Sequence, residues 1–380
     1  MSSVKWDDIV TDMNVLKGVY EYGFENPSEI QQKSIPVILS KKDVIAQAQS
    51  GMGKTGAFTV GTLGIIDATL PKTQALILAP THELVNQIYT VVKSLGASVP
   101  GLVVKTLMGG SPINDDVESI RNQCPQIIVG SAGRVYDMFR RKYISGRDIR
   151  LIVLDEADEM LSKGFKETIH SIFQFMNAET QVALFSATLP EEIMALTDKF
   201  MRDPVKITME AVKLNLDCIT QYYVALRNDN DKYDTLKDLF SAISVSQCII
   251  YCNSVQRVTQ LYNAMTDEGF SVCCIHSSMD KCEREREFKQ FRTGAYRVMI
   301  SSDLTARGID IQQVSIVINF DITPCVHKYL HRIGRSGRWG RKGVAINFVT
   351  KYDVETVKRI ERHYNINMKE LPSSFSGIIC

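Results

Sequence analysis

Ala48-Gln49-Ser50-Gly51-Met52-Gly53-Lys54-Thr55 decides how this chain is read. The apolar run Val44-Ile45-Ala46 precedes it, and a helical stretch from Gly56 to about Ala68 follows. Strand, glycine-bearing turn, Gly-Lys-Thr and helix make a phosphate loop. Gly51 and Gly53 let the backbone turn so that several N–H groups face one anion. The helix N-terminus adds the positive end of its dipole. Lys54 neutralises the outer phosphates, and the Thr55 hydroxyl can sit on a magnesium ion. The competing reading, a strand-turn-helix junction that merely carries Lys-Thr, is disfavoured by both flanks. Ala48 stands where the generic loop has its first glycine, which points to a subfamily and not to loss of function.

The rest of the composition sets bounds. At 380 residues the chain exceeds one ordinary core, and two domains are expected. Hydrophobic content of 44% and charged content of 23% fit a soluble globular protein. No apolar run reaches membrane-spanning length, and Met1-Ser2-Ser3-Val4-Lys5 lacks a signal-peptide core, so no membrane partner is expected. The nine cysteines are odd in number, irregularly spaced and without a Cys-x-x-Cys pair. They read as reduced thiols of a cytosolic or nuclear protein. Cys273-Cys274 with His276 is read as an apolar strand end, because no second ligand pair exists for a metal. With a net charge of only +1, a nucleic-acid partner must be held by a local basic track.

Short apolar runs alternate with helical stretches. The first set is Val44–Ala46, Ala75–Ala79, Val103–Met108, Ile127–Val129, Leu151–Leu154, Val182–Phe185 and Val205–Ile207. The second is Tyr222–Leu226, Cys248–Tyr251, Val272–Ile275, Val298–Ile300, Val314–Asn319 and Val344–Val349. Continuous apolar strands between helices imply parallel sheets buried on both faces, hence an α/β chain of two doubly wound domains. The expected division is 1–210, a linker 211–218, and 219–380.

Ligands of such sheets sit beyond the carboxyl ends of the strands. Leu151–Leu154 is followed by Asp155-Glu156-Ala157-Asp158. An acid leaving a strand beside a phosphate loop is placed to bind magnesium, and Glu156 can orient or deprotonate the attacking water. A solvated acidic turn is the alternative. Ser186-Ala187-Thr188 after Val182–Phe185 offers two hydroxyls able to bond the acids, a weak signal alone because such residues commonly cap helices. In the second half, His331-Arg332-Ile333-Gly334-Arg335-Ser336-Gly337-Arg338 carries two arginines three apart, which share a face if helical. They read as arginine fingers, with a phosphate-binding basic patch as the alternative. Upstream, Gln31 offers a donor and an acceptor that match adenine, and Phe24 a stacking face, although Phe24 taken singly reads as core.

With these residues quoted, the chain resembles the DEAD-box family of RNA helicases over essentially its whole length. Asp155–Phe165, Leu184–Pro190, Gly334–Phe348 and the lack of long terminal extensions make it most similar to the translation initiation factor 4A group. The resemblance implies two tandem RecA-like domains joined by a short linker, with ATP, magnesium and RNA bound across their cleft. It implies that Phe24 and Gln31 recognise adenine, with Trp6 the isolated upstream aromatic. Ser50, Gly51, Gly53, Lys54, Thr55 and Gly56 hold the nucleotide, and Thr55 and Asp155 serve the metal. Ser186 and Thr188 link hydrolysis to strand separation. Asp310, Arg335 and Arg338 complete the ATP site, and His331 relays to the acids. Contacts to the RNA backbone are assigned to Pro80, Thr81, Gly109, Gly110, Ser131, Gly133 and Arg134, and to Asn253, Arg284, Ser301 and Ser302.

The departures concern RNA. His82 replaces an arginine, Ser131-Ala132-Gly133-Arg134 replaces Thr-Pro-Gly-Arg, Lys281 replaces a glutamine, and Ser277 replaces a glycine. The expected activity is ATP-dependent unwinding of short RNA duplexes or remodelling of RNA–protein complexes in translation initiation. The alternative is an ATP-gated RNA clamp with little unwinding. The expected setting is a cytoplasmic monomer, with a nuclear location as the alternative, on a HEAT-repeat scaffold of the initiation factor 4G type.

Overall fold

The computed structural model describes residues 4–162, 164–209, 218–242, 247–303, 314–336 and 342–372. The chain divides into two units, Met1–Glu210 and Ala211–Cys380.

Unit 1 is built on strands β1 (Val44–Gln47), β2 (Ala75–Leu78), β3 (Val104–Leu107), β4 (Ile127–Gly130), β5 (Leu151–Asp155), β6 (Gln181–Ser186) and β7 (Val205–Thr208). They form one parallel sheet in the order β3-β4-β2-β5-β6-β1-β7. The register sets Val44 beside Ala183 and Val205, and Ala75 beside Ile127 and Leu151. Every residue of β2, β5 and β6 is buried, because helices cover both faces. On one face Leu76, Leu78, Ile152 and Leu154 pack with Val135, Met138 and Phe139 of helix Ala132–Arg140 and with Ile169 and Ile172 of helix Lys166–Phe173. Burying each such side chain is worth about 1.5–3 kcal/mol.

Unit 2 repeats the plan without a phosphate loop. Its strands are β8 (Ile219–Ala225), β9 (Cys248–Tyr251), β10 (Val272–Ile275), β11 (Val298–Ser301), β12 (Ile316–Asn319), β13 (Gly343–Val349) and β14 (Lys369–Glu370). Their order is β10-β11-β9-β12-β13-β8-β14, again all parallel. Cys273 and Cys274 are successive residues of β10 and so face opposite sides: Cys273 packs with Phe291 and Met299, Cys274 against the core of Cys248 and Ile250. Burial raises the thiols of Cys248, Cys252, Cys273 and Cys274 above their ordinary range, which keeps them protonated and unreactive.

β8 begins at Ile219 rather than Tyr222 and β12 at Ile316 rather than Val314, and further details differ from the sequence reading. β14 has no apolar pattern; it is a two-residue charged edge strand, the kind that resists edge pairing. The helix after the phosphate loop spans Lys54–Ile65, not Gly56 to Ala68. Ile66 is already extended, and Gln74 takes over the next residue: its Oε1 accepts from the Asp67 amide at 2.9 Å and its Nε2 donates to the Asp67 carbonyl at 2.7 Å.

Candidate nucleotide and RNA site

Three adjacent strands, β5, β6 and β1, carry the nucleotide candidates of unit 1 at their carboxyl ends. The phosphate loop follows β1. Its last residue, Gly53, caps the helix in the left-handed region (φ 90°), so Lys54 and Thr55 fall in the first helical turn, where free N–H groups face outward. A Cβ on Gly53 would come within 2.8 Å of Gln31 Nε2 and Ser28 Oγ. Lys54 is 6% exposed, and its Nζ donates to the Ala48 carbonyl at 2.8 Å, lying across the loop that it closes. The loop is tied to β6 as well, since the Ala48 amide donates to the Ser186 carbonyl at 3.0 Å.

Asp155 ends β5, and Glu156 follows with φ 50°, a left-handed conformation rare for a residue with a side chain. Both are buried. Burial and the adjacent Glu156 push the Asp155 carboxyl up to about 7, against the pull of Lys54. This cluster is therefore short of positive charge, and its donors are hard oxygens. A divalent cation of the magnesium type fits Asp155 and Thr55 on both counts.

Ser186 and Thr188 do bond an acid, but it is Asp158. Thr188 Oγ1 donates to Asp158 Oδ2 at 2.6 Å, and the Asp158 amide donates to Ser186 Oγ at 3.4 Å. Sequence reasoning gave Asp158 no role. The only signal was its place in the acidic run, because its partners Ser186 and Thr188 are 28 and 30 residues away.

The upstream residues close the other side of the loop. Ser28-Glu29-Ile30-Gln31 is a capping box, with Gln31 Oε1 accepting from the Ser28 amide at 2.7 Å. Gln31 Nε2 donates to the Gly53 carbonyl at 3.2 Å, and Ser28 Oγ to the Met52 carbonyl at 2.9 Å. A primary amide has a second N–H and a second lone pair, so Gln31 retains one donor and one acceptor for an adenine edge. Gly56 is required here, since a Cβ would meet Gln31 Nε2 at 2.7 Å and Phe24 at 3.0 Å. Phe24 is half-buried, neither core nor free surface. Trp6 stacks on it, with centroids 5.8 Å apart and planes 9° apart, and is itself fully buried. Trp6 thus backs the stacking ring and offers no face of its own to a nucleotide.

The RNA candidates of unit 1 follow the other half of the sheet, β3, β4 and β2. Thr81 caps helix His82–Leu95 by accepting from the Leu84 amide at 3.3 Å. Gly109 and Gly110 turn the chain after β3, and Ser131 caps helix Ala132–Arg140 after β4. Around Gly133 a Cβ would meet nothing within 4 Å, so the protein's own packing does not demand glycine there. Arg134 departs from expectation. Its side chain is 9% exposed, ion-paired to Asp116, and donates from Nη2 to the Ser111 carbonyl at 2.5 Å. It holds the Gly109-Gly110-Ser111 turn rather than standing open to a phosphate.

In unit 2 the RNA candidates likewise follow β9, β10 and β11. Two of them are engaged internally. Asn253 Nδ2 donates to the Ile322 carbonyl at 2.8 Å, and its Oδ1 accepts from Arg332 Nη2 at 2.8 Å. Ser301 is fully buried, with its hydroxyl directed at the carbonyls of Ile275 (2.8 Å) and Ser302 (3.0 Å). Ser302 is half-buried beside it, and Arg284 lies in the first turn of helix Lys281–Arg292. The organiser is Arg332, which sequence reasoning passed over. Fully buried, it donates to Asp303 Oδ1 (2.6 Å), Asn319 Oδ1 (3.3 Å), the Asp321 carbonyl (2.7 Å) and Asn253 Oδ1, and lies over the Tyr251 ring. Burial raises the Asp303 carboxyl, but Arg332 and Lys328 more than offset this and hold it below the usual range. His331 sits buried on helix Val326–Ile333. That helix ends before Arg335, which is buried in the following turn with Nε donating to the His331 carbonyl at 3.2 Å. Arg335 therefore lies outside that helix, and Arg338 and Asp310 lie outside the described residues.

Comparison with known proteins places this arrangement. Residues 28–196 match the DEAD/DEAH box helicase family, and 231–340 match the helicase conserved C-terminal domain. The ATP-dependent RNA helicase eIF4A of Pyricularia oryzae is 45% identical over 374 residues, covering 98% of this chain and 94% of its own. The protein of that name from Phaeosphaeria nodorum is 46% identical over 365 residues, covering 96% and 92%. Among solved structures, S. cerevisiae Dbp5 bound to RNA and ADP BeF3 has a TM-score of 0.90 at 33% identity, covering 97% of this chain and 95% of its own. On full-length identity of this size and two RecA-like sheets, the chain belongs to the DEAD-box helicases, on their eIF4A-like branch.

Proposed function

We propose that the protein is an ATP-dependent RNA helicase of translation initiation, working on short duplexes. The observation that carries this reading is the bond from Thr188 to Asp158. It joins the acidic run beside the phosphate loop to the segment after β6, so that a change at the γ-phosphate has a path into the protein.

Gln31 and Phe24 orient the adenine, and the first-turn amides at Lys54 and Thr55 hold the phosphates with the Lys54 ammonium, released from the Ala48 carbonyl. Thr55 and Asp155 would hold a magnesium ion, which would supply charge neutralisation to the phosphates. Glu156 positions the attacking water and takes its proton. Arg335 and Arg338 are assigned to the charge that develops in transfer, and His331 to a relay toward the acids. RNA is gripped through its backbone, which gives little sequence preference. We place the protein in the cytoplasm as a monomer on a HEAT-repeat scaffold of the initiation factor 4G type, the setting that the initiation-factor reading implies.

RNA-stimulated ATPase measured beside strand separation of a short duplex tests this. Turnover with unwinding is expected. Stable RNA retention on an ATP analogue, slow turnover and no unwinding would make the protein a clamp instead.

A further inference from the structure

The phosphate loop, the acidic run and the RNA candidates of unit 1 follow the carboxyl ends of its parallel strands. The opposite end of the same sheet carries a cavity of about 860 Å³, lined by residues that lead into β2, β5 and β6, among them Gln74, Arg150 and Gln181. Strands of four to six residues put it roughly 13–20 Å from the phosphate loop.

The cavity is cationic. It is lined by Lys41, Lys72, Arg147 and Arg150, against only Asp148 and Glu179. Lys72 Nζ occupies Asp148 at 2.9 Å, and Arg150 spends one N–H on the Ile65 carbonyl at 3.2 Å. Among the described residues, Lys41 and Arg147 have no carboxylate partner.

These two cations are fixed at their backbones by amide side chains from the cavity wall. Gln181, 2% exposed, donates to the Ile38 (3.1 Å) and Lys42 (2.6 Å) carbonyls, pinning the turn in which Lys41 is held at φ 60°. Asn177 Nδ2 donates to the Arg147 carbonyl at 2.5 Å. Ile65, Leu70 and Ile149 give the same cavity an apolar wall.

We propose that this cavity is a second anion site, taking a phosphate monoester attached to a flat or apolar body of nucleotide size. Two guanidinium forks and an ammonium suit a dianionic head better than a single carboxylate. The apolar wall accepts the body, and the volume is that of a small-molecule site. Neither the free mononucleotide nor the 5′-phosphate end of an RNA strand is distinguished by this chemistry, so the test separates them.

The full-length protein is saturated with ADP and magnesium to fill the phosphate loop, then titrated with uridine 5′-monophosphate by calorimetry. Saturable binding of one equivalent is expected, weakened at least tenfold by Lys41→Gln with Arg147→Glu. Both substituted side chains are exposed, and an unaltered melting curve verifies folding. Displacement of the mononucleotide by a 5′-phosphorylated RNA pentamer, but not by its 5′-hydroxyl form, identifies a strand end as the source. No displacement by either identifies the free nucleotide. Absence of saturable binding, equal affinity in the double variant, or binding of a polyglutamate peptide in place of the mononucleotide each overturns the proposal.

Discussion

His82 stands where an arginine belongs in the family pattern, on the first turn of helix His82–Leu95. A Cβ on Gly109 would lie 3.9 Å from its Nε2, so the imidazole reaches the turn after β3 that is assigned to RNA. An arginine stays charged and offers a planar fork of donors, whereas histidine with a reference pKa of about 6.5 is mostly neutral at pH 7.5. A charged contact of this kind is worth about 1–3 kcal/mol if partly buried and less if exposed. His82→Arg should lower the RNA concentration for half-maximal ATPase stimulation and barely change ATPase without RNA. An unchanged RNA requirement would make His82 a packing residue. Glu156 gives a sharper case. Its carboxyl is buried one residue past the strand end, and glutamine keeps its shape without a base. Glu156→Gln should leave ATP affinity near normal and cut turnover by about 10²–10⁴-fold, read by single-turnover hydrolysis. Turnover within a few-fold of the parent would remove Glu156 from the chemistry.

At the scale of elements, the strands were legible because parallel sheets buried on both faces leave continuous apolar runs, and the candidate residues were legible because ligands gather where those runs end. What the runs cannot show is which strand ends bond to each other. Asn253 and Arg332 are 79 residues apart, and Arg134 meets Asp116 on a different helix; no periodicity encodes such pairs. Residues assigned to RNA thus proved to be partly internal fastenings. Arg332 is the clearest, because one guanidinium holds the ends of β9, β11 and β12 together. Arg332→Met should destabilise unit 2 by about 3–5 kcal/mol, since it strands Asp303, Asn319 and Asn253 oxygens without a donor. Denaturant unfolding should show the loss in the unit 2 transition alone. The pH dependence follows from Asp303 and Asp321, both held below the usual carboxylate range; burial raises each, but Arg332 and Lys328 outweigh it for Asp303, and Arg257 and Lys232 for Asp321. A lowered folded-state pKa adds stability above the unfolded value of about 3.9 and loses it as pH falls through the folded value. The parent should therefore lose unit 2 stability below about pH 4, and the variant should lose less over that range, having already forfeited the Asp303 share. Equal slopes would show that Asp303 does not depend on Arg332.

For the whole molecule the question is why a phosphate loop in unit 1 needs unit 2. Unit 1 has its own seven-stranded sheet and its own apolar core, so residues 1–210 should fold alone. They include every residue assigned to adenine, phosphates, magnesium and water. They lack Asp310, His331, Arg335 and Arg338. If those arginines supply charge to the transferring phosphate, the fragment should bind ATP weakly and hydrolyse almost none, because an arginine finger is worth about 10³–10⁵ in rate in phosphoryl-transfer enzymes. Supplying residues 219–380 in trans should recover little. A short covalent linker gives an effective concentration in the millimolar range, so a separate unit at tens of micromolar that associates weakly should restore roughly a few per cent of turnover. Raising its concentration should increase the rate in proportion, and adding Arg335→Ala in the second fragment should abolish the gain. Hydrolysis by residues 1–210 at the rate of the intact chain would sink the finger assignment and place all of the chemistry on one sheet.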